Sequence, residues 1–238
     1  MGEAVELSVL VPVYNEAANL EPLVGRLRAT LDDWGGTWEL VLIDDGSNDG
    51  SAEALDRLGS EDPRVVVLHF ERNCGQSAAL DAGIRHSRGR LLAYMDADLQ
   101  TYPEDLPLLL RELEDETVDG VVGIRAERQD SGWKKLSSRL ANWVRNRLTR
   151  EDIVDTGCPL KVFRGEALRS LRLFDGLHRF IPTLVRMEGF TVRQVPVRHA
   201  PRHAGRSKYG TWDRAFRALR DALAVRWMQD RVIRWRLR

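Results

Sequence analysis

The chain has 238 residues, 43% of them hydrophobic and 30% charged, with 36 basic and 36 acidic side chains and a formal net charge of zero. Those totals exclude a disordered or fibrous chain and suit one globular domain with an appendage. Two cysteines, Cys74 and Cys158, favour a reducing compartment over a disulfide framework, and neither a signal peptide nor an apolar run of transmembrane length is legible.

Strand and helix patterns alternate from the start. Leu7–Val13 is a continuous apolar run, and Asn15–Trp34 carries helical spacing (Leu20, Leu23, Val24, Leu27, Leu31) closed by two glycines. Glu39–Ile43 is a second apolar run that ends in Asp44-Asp45-Gly46-Ser47, after which Asp49 is placed to cap a helix. Arg64–Phe70 reads as a third strand, Gln76–Ser87 as a small-residue helix, Arg90–Met95 as a fourth strand. Pro103–Leu113 is a helix with proline in its first turn, and Val118–Ile124 a fifth strand. Apolar strands alternating with helices predict an α/β fold, a mostly parallel sheet with helices on both faces.

The pattern loosens after residue 130. Ser131–Arg150 reads as a basic amphipathic helix with Trp133, Leu136, Leu140, Trp143, Val144 and Leu148 on one stripe. A turn at 155–159, a short apolar run at Leu160–Phe163, a helix at His178–Glu188 and a strand at Phe190–Arg198 follow. Pro201–Gly210 is a basic, glycine-containing loop, and the chain is helical again from Thr211. The neutral total conceals an asymmetry. Residues 211–238 hold eight arginines against three aspartates, whereas the rest carries 28 basic and 33 acidic residues. A basic tail with Trp212, Trp227 and Trp235 on an acidic body points to an anionic membrane surface, not to nucleic acid, for which no reading motif is present.

The segment LLAYMDADLQ (91–100) is the most informative. Asp96 and Asp98 stand at i and i+2, on one side of an extended chain, and such like charges repel unless a cation lies between them. Hard oxygen ligands favour Mg²⁺ or Mn²⁺, which bind through one or two carboxylates plus substrate phosphates. In open α/β sheets ligands sit beyond the carboxyl ends of the strands. Tyr14 and Glu16 follow the first strand, Asp44 and Asp45 the second, Asp96 and Asp98 the fourth. Tyr14 can stack on a base, and Asp44 can accept from a base N–H. Asp45–Gly50 mimics the start of a calcium loop, but a strand precedes it and its twelfth position is Asp56, not glutamate.

Together VPVYNE (11–16), IDDGSNDGS (43–51), RNCGQSAALDAGI (72–84), DADLQ with PED (96–105) and RHAGRSKYG (202–210) resemble family 2 glycosyltransferases. Within them the sequence is most similar to the polyprenyl-phosphate group, the dolichyl-phosphate mannose synthases and their bacterial undecaprenyl-phosphate relatives. The resemblance implies a GT-A-type, Rossmann-like catalytic domain over residues 1–210, including the helix at 131–150, with residues 211–238 as a basic amphipathic helix at an interface. It implies inverting transfer of a monosaccharide from a UDP- or GDP-sugar to a polyprenyl phosphate, with Mg²⁺ or Mn²⁺.

By that resemblance Pro12, Tyr14, Glu16 and Asp44 hold the nucleoside, Asp45 belongs to the nucleotide-sugar site, and Gln76 lies near the donor. Asp96, Asp98 and Gln100 handle metal and diphosphate. Arg206 and Lys208 reach the donor phosphates, Arg125 and Arg139 bind the acceptor phosphate, and Asp155 stands close to the reaction centre. Attachment is expected to be peripheral, on the cytoplasmic face of the cell membrane, with a membrane-protein partner as a second route. A soluble or protein acceptor, and a non-catalytic sugar-nucleotide-binding subunit, are the alternatives.

Overall fold

The structure, a computed structural model, describes residues 4–125, 146–200 and 211–233, and within 211–217 the backbone alone. Most of the expected helix at 131–150, with Arg139, and the loop with Arg206 and Lys208 lie outside the described residues; residues 146–149 are helical as expected.

Strand β1 (Leu7–Val13) leads into helix α1 (Ala17–Trp34), β2 (Trp38–Asp44), α2 (Ser51–Glu61), β3 (Val65–His69), α3 (Gln76–His86) and β4 (Leu91–Tyr94). A 3-10 turn (Pro103–Asp105) opens α4 (Leu106–Glu112), followed by β5 (Gly120–Arg125), β6 (Lys161–Arg164), the short α5 (Gly165–Arg169), a second 3-10 turn (Leu177–Phe180), α6 (Ile181–Met187), β7 (Val192–Val197) and α7 (Thr211–Gln229). The described strands form one sheet in the order β3-β2-β1-β4-β6-β5-β7. All run parallel except β6, which lies antiparallel between β4 and β5.

Every residue of β2 is buried, as a strand covered on both faces requires. One apolar cluster gathers α1, α2 and α4 on one face, around Leu20, Leu27, Leu55 and Leu109; the other gathers α3, α5, α6 and α7 around Leu80, Phe163, Ile181 and Val225. Each such aliphatic side chain contributes roughly 1.5–3 kcal/mol of transfer free energy.

Two expected helices are divided. Proline at 107 and at 182, each in the first turn of its α-helix, lacks an N–H, and in both places a 3-10 turn precedes the α-helix. Helix α1 starts two residues later than its periodicity suggested, because Asn15 sits at φ 57°, in the left-handed region that asparagine tolerates. The N-cap of α2 is Gly50, not Asp49. Asp49 reaches across instead: Oδ1 accepts from the Ser51 N–H and Oδ2 from the Ala17 N–H, which ties the starts of α1 and α2 together.

Chain order reverses between β1 and β4: β2 and β3 lie on one side of β1, β4 on the other. That switch point opens a crevice at the carboxyl edge of the sheet. Since β1, β2, β4 and β5 point the same way, Tyr14, Asp44, Asp96 and Arg125 all emerge at this edge.

Candidate active site

On the β1–β2 side, the loops are locked to one another by short polar bonds. Asn15 N–H donates to Ser47 Oγ at 3.0 Å, Asn15 Oδ1 accepts from Asn48 N–H at 2.8 Å, and Glu16 N–H donates to Ser51 Oγ at 3.0 Å. Glu16 also accepts from Asn19 at 2.6 Å, so its carboxylate faces the first turn of α1. Pro12 and Tyr14 are partly exposed at the crevice. Asp44 is buried; Oδ1 accepts from Ser47 N–H at 2.9 Å and Oδ2 faces His69 Nδ1 at 3.1 Å.

Asp45, equally buried, holds the next loop. Its carboxylate accepts from Cys74 N–H at 2.6 Å, Gly75 N–H at 3.0 Å and Asn73 Nδ2 at 2.9 Å. Burial pushes this carboxyl above its usual range, Asp44 adds to the push, and the Cys74 and Gly75 N–H groups oppose it. The neighbouring Gly46 must be glycine: at φ +70° a Cβ would stand 2.5 Å from the Arg72 carbonyl carbon. The loop so held delivers Gln76 to the start of α3, from where its amide donates to Asp96 Oδ1 at 2.8 Å. Asp45 therefore sets the position of a site residue through a loop.

Asp96 and Asp98 follow β4. Burial and then Asp98 push the Asp96 carboxyl up to about 6, against Lys161, the Gln76 hydrogen bond and Arg125. Asp98 Oδ1 accepts from Gln100 N–H at 3.2 Å. Leu99 between them sits at φ 58°, a left-handed conformation costing a branched residue about 1–2 kcal/mol, and it turns the chain sharply after the acidic pair. The Gln100 amide donates to the Ala200 carbonyl at 3.3 Å. Beyond it Tyr102 is held between two guanidinium groups, Arg198 at 4.7 Å and Arg26 at 5.2 Å, while Asp105 accepts from Arg198 N–H and Nε, both at 2.8 Å.

Arg125, at the end of β5, meets Asp155 in a two-pronged pair: Nε to Oδ2 and one terminal nitrogen to Oδ1, both 2.7 Å, with the side chains 15% and 10% exposed. These two residues, singled out separately in the sequence, are thus one unit. Beside them is Lys161, which the sequence reading did not single out. It lies opposite Tyr94 in the β4–β6 register, is 3% exposed, donates to the Cys158 carbonyl and stands 4.9 Å from the Tyr94 ring centroid. Burial pulls its pKa down while Cys158, Asp96 and Asp155 pull it up. The only sequence signal was a lysine inside the apolar run LKVF.

His178 was likewise unforeseen. Burial first, then Arg179 and Lys161, lowers its pKa to about 3, so the ring is neutral. Ser77 Oγ accepts from the Gly176 N–H at 3.1 Å and lies within hydrogen-bond distance, 2.8 Å, of His178 Nδ1.

Among the described residues no three His, Cys, Asp or Glu side chains gather around one point. A pair of carboxylates is what an ion completed by substrate phosphate and water requires, and the upward push on Asp96 fits a site built for a cation.

A family model described as glycosyl transferase family 2 matches residues 8–172. Dodecaprenyl-phosphate galacturonate synthase of Rhizobium johnstonii is 39% identical over 94% of this chain and 67% of its own length. Undecaprenyl-phosphate 4-deoxy-4-formamido-L-arabinose transferase of Edwardsiella ictaluri is 41% identical over 86% of this chain and 63% of its own. The chain thus spans about two thirds of the length of these relatives. Glucosyl-3-phosphoglycerate synthase of Mycobacterium tuberculosis, solved with Mn²⁺, UDP and phosphoglyceric acid, superposes with a TM-score of 0.72 at 20% identity over 97% of this chain and 80% of that one.

Proposed function

The chain belongs to glycosyl transferase family 2 and has the GT-A-type fold, and from that premise we propose that it moves a monosaccharide from a nucleotide sugar to a polyprenyl phosphate by inversion. The observation that carries this reading is the identity of 39% and 41%, over most of this chain, with two enzymes named for polyprenyl-phosphate products or acceptors.

The nucleoside end belongs at the β1–β2 edge, with Pro12, Tyr14, Glu16 and Asp44 around the base and ribose. Asp96, Asp98 and Gln100 would hold the ion, which supplies charge neutralisation at the leaving diphosphate. Gln76 holds Asp96 in place, and Asp45 holds the loop that carries Gln76. Arg125, set by Asp155, and Arg139 are assigned to the acceptor phosphate; Arg206 and Lys208 are assigned to the donor phosphates. An oxygen of the acceptor phosphate forms the new bond to the anomeric carbon as the bond to the donor diphosphate breaks, and the nucleoside diphosphate leaves with the electron pair. The acceptor is already ionised at neutral pH, so orientation matters more than proton removal.

The test uses the full chain, radiolabelled UDP- and GDP-sugars, Mn²⁺ and undecaprenyl phosphate, with a soluble phosphate ester in a parallel arm. A lipid-extractable labelled product is expected. Label found solely on the soluble ester would support the soluble-acceptor alternative, and no label in either arm with any donor would end the transferase reading.

Attachment to an anionic membrane surface is the second part of the proposal. No described helix is long and apolar enough to cross a membrane. Helix α7 packs on the domain through Ala222 and Val225, yet Leu219, Leu223 and Trp227, spaced four apart, are 44%, 51% and 61% exposed. Apolar side chains beside Arg220 and Arg231 suit a headgroup region. Trp227→Ala is expected to lower binding to vesicles containing phosphatidylglycerol by roughly fivefold or more, read by sedimentation. Equal sedimentation of variant and parent would remove α7 from the membrane contact.

A further inference from the structure

His69 ends β3 with its ring between two carboxylates from two other elements. Nδ1 is 3.1 Å from Asp44 Oδ2 at the end of β2, and Nε2 is 2.9 Å from Asp56 Oδ1 on α2. The first carboxylate is 5% exposed and the second 70%. A neutral imidazole has one N–H and can serve one of them; the imidazolium serves both. Burial lowers the affinity of this ring for its proton, and the bonds and charges of Asp44 and Asp56 more than reverse that. Asp45, the next acid at this strand end, is turned onto the 73–75 loop instead.

Asp44 has two oxygens and both are committed within the protein, one to Ser47 N–H and one to the His69 ring. Its second lone pairs therefore point where those two donors leave room. The Ser47 bond is a fixed backbone donor. The His69 bond is not fixed, because loss of the ring proton creates two competing tautomers. In one of them a nitrogen lone pair faces Asp44 Oδ2 and repels it, which turns the carboxylate. Deprotonation also removes one positive charge from this edge, where an anionic nucleotide must settle.

We propose that His69 is a positioning residue for base recognition: it holds the Asp44 carboxylate in the orientation that accepts a base N–H, most firmly as the imidazolium, so that nucleotide affinity falls as pH rises through neutrality. The proposal rests on the reading that Asp44 meets the base. It adds a residue that touches no part of the nucleotide, and it makes nucleotide binding take up a proton.

The experiment is calorimetric titration of the full chain with UDP and with GDP, without metal, in buffers of low and high ionisation enthalpy. Parent and variants are all titrated in an Asp96→Asn background, because the Asp96 carboxyl, pushed up to about 6, would otherwise enter the same pH window. For the parent chain, Kd of whichever nucleotide binds is expected to rise about fivefold between about pH 6 and about pH 8.5, with net proton uptake near neutrality. His69→Gln keeps one donor for Asp44 and carries no titrating proton. It is expected to bind more weakly at low pH, with a flat profile and no proton uptake. Asp44→Asn should bind weakly at every pH. If His69→Gln retains the parent's slope and proton uptake while Asp44→Asn is weak, the proposal fails and the base-recognition reading stands. If Asp44→Asn binds like the parent, that reading itself fails. A melting temperature within about 2 °C of the parent shows that His69→Gln is folded, which its partly exposed ring favours.

Discussion

Asp96→Asn is expected to melt later than the parent chain at neutral pH and to lose transfer activity. The carboxyl is pushed up to about 6 by burial and by Asp98, from an ordinary value of 3.8. Between those two values the folded chain binds more protons than the unfolded one. Stability therefore falls as pH rises through that window, and at neutral pH the whole cost is present. Asparagine keeps the acceptor for Gln76 at 2.8 Å and carries no charge. The gain, discounted for partial solvent contact, is about 2 kcal/mol, or roughly 5 °C in melting temperature. Activity should fall at least about a hundredfold if Asp96 has the proposed role, since the variant would lose a metal ligand and a charge opposite the leaving group. Thermal scans of the metal-free chain between about pH 4 and about pH 8 test the sign, because the gap should close toward the acid end. A variant that melts at or below the parent at neutral pH would show that the acidic pair is not held at a cost. Such a cost is what a site built around a cation carries until it is filled.

The second large effect concerns the pair at the end of β5. Arg125→Ala leaves Asp155 buried without its two-pronged partner and is expected to cost about 3–5 kcal/mol in denaturant unfolding. Replacing both, as Arg125→Met with Asp155→Leu, should recover most of that loss, because no uncompensated charge remains and the apolar stems fill similar volume. Neither variant should transfer sugar. A single-variant cost below about 1 kcal/mol would place the pair among solvent-screened surface bridges, where it would have little power to orient a guanidinium. Recovery of stability without recovery of activity separates the structural share of the pair from its proposed work on the acceptor phosphate.

The first four strands were legible because each is a mostly apolar run ending in a polar cluster. Leu7–Val13 and the runs around Val41, Val67 and Ala93 all appear as strands within a residue or two of their expected bounds. Helix starts were less legible where the backbone enters the left-handed region, as at Asn15, or where a 3-10 turn precedes a proline in the first helical turn, as at Pro107 and Pro182. Side-chain periodicity does not register either event. Helix α5, five residues long, escaped notice because it is shorter than two turns and has no periodicity to show.

By itself, the sequence determined the fold class, the strand ends that carry polar groups, and the family, since these depend on local order and spacing along the chain. Tertiary structure alone decided which polar groups meet. It turned Asp45 onto the 73–75 loop and Glu16 onto the first turn of α1, joined Arg125 to Asp155 across 30 residues, and brought Gln76 onto Asp96 across 20. It also buried Lys161 beside Tyr94 and set His69 between Asp44 and Asp56. These partnerships depend on strand order, above all on β4 and β2 flanking β1 and on β6 inserting antiparallel between β4 and β5. The hydrophobic pattern that makes each strand is blind to its neighbours, because burial is non-directional, whereas hydrogen bonds and ion pairs form only once the sheet has fixed distance and angle.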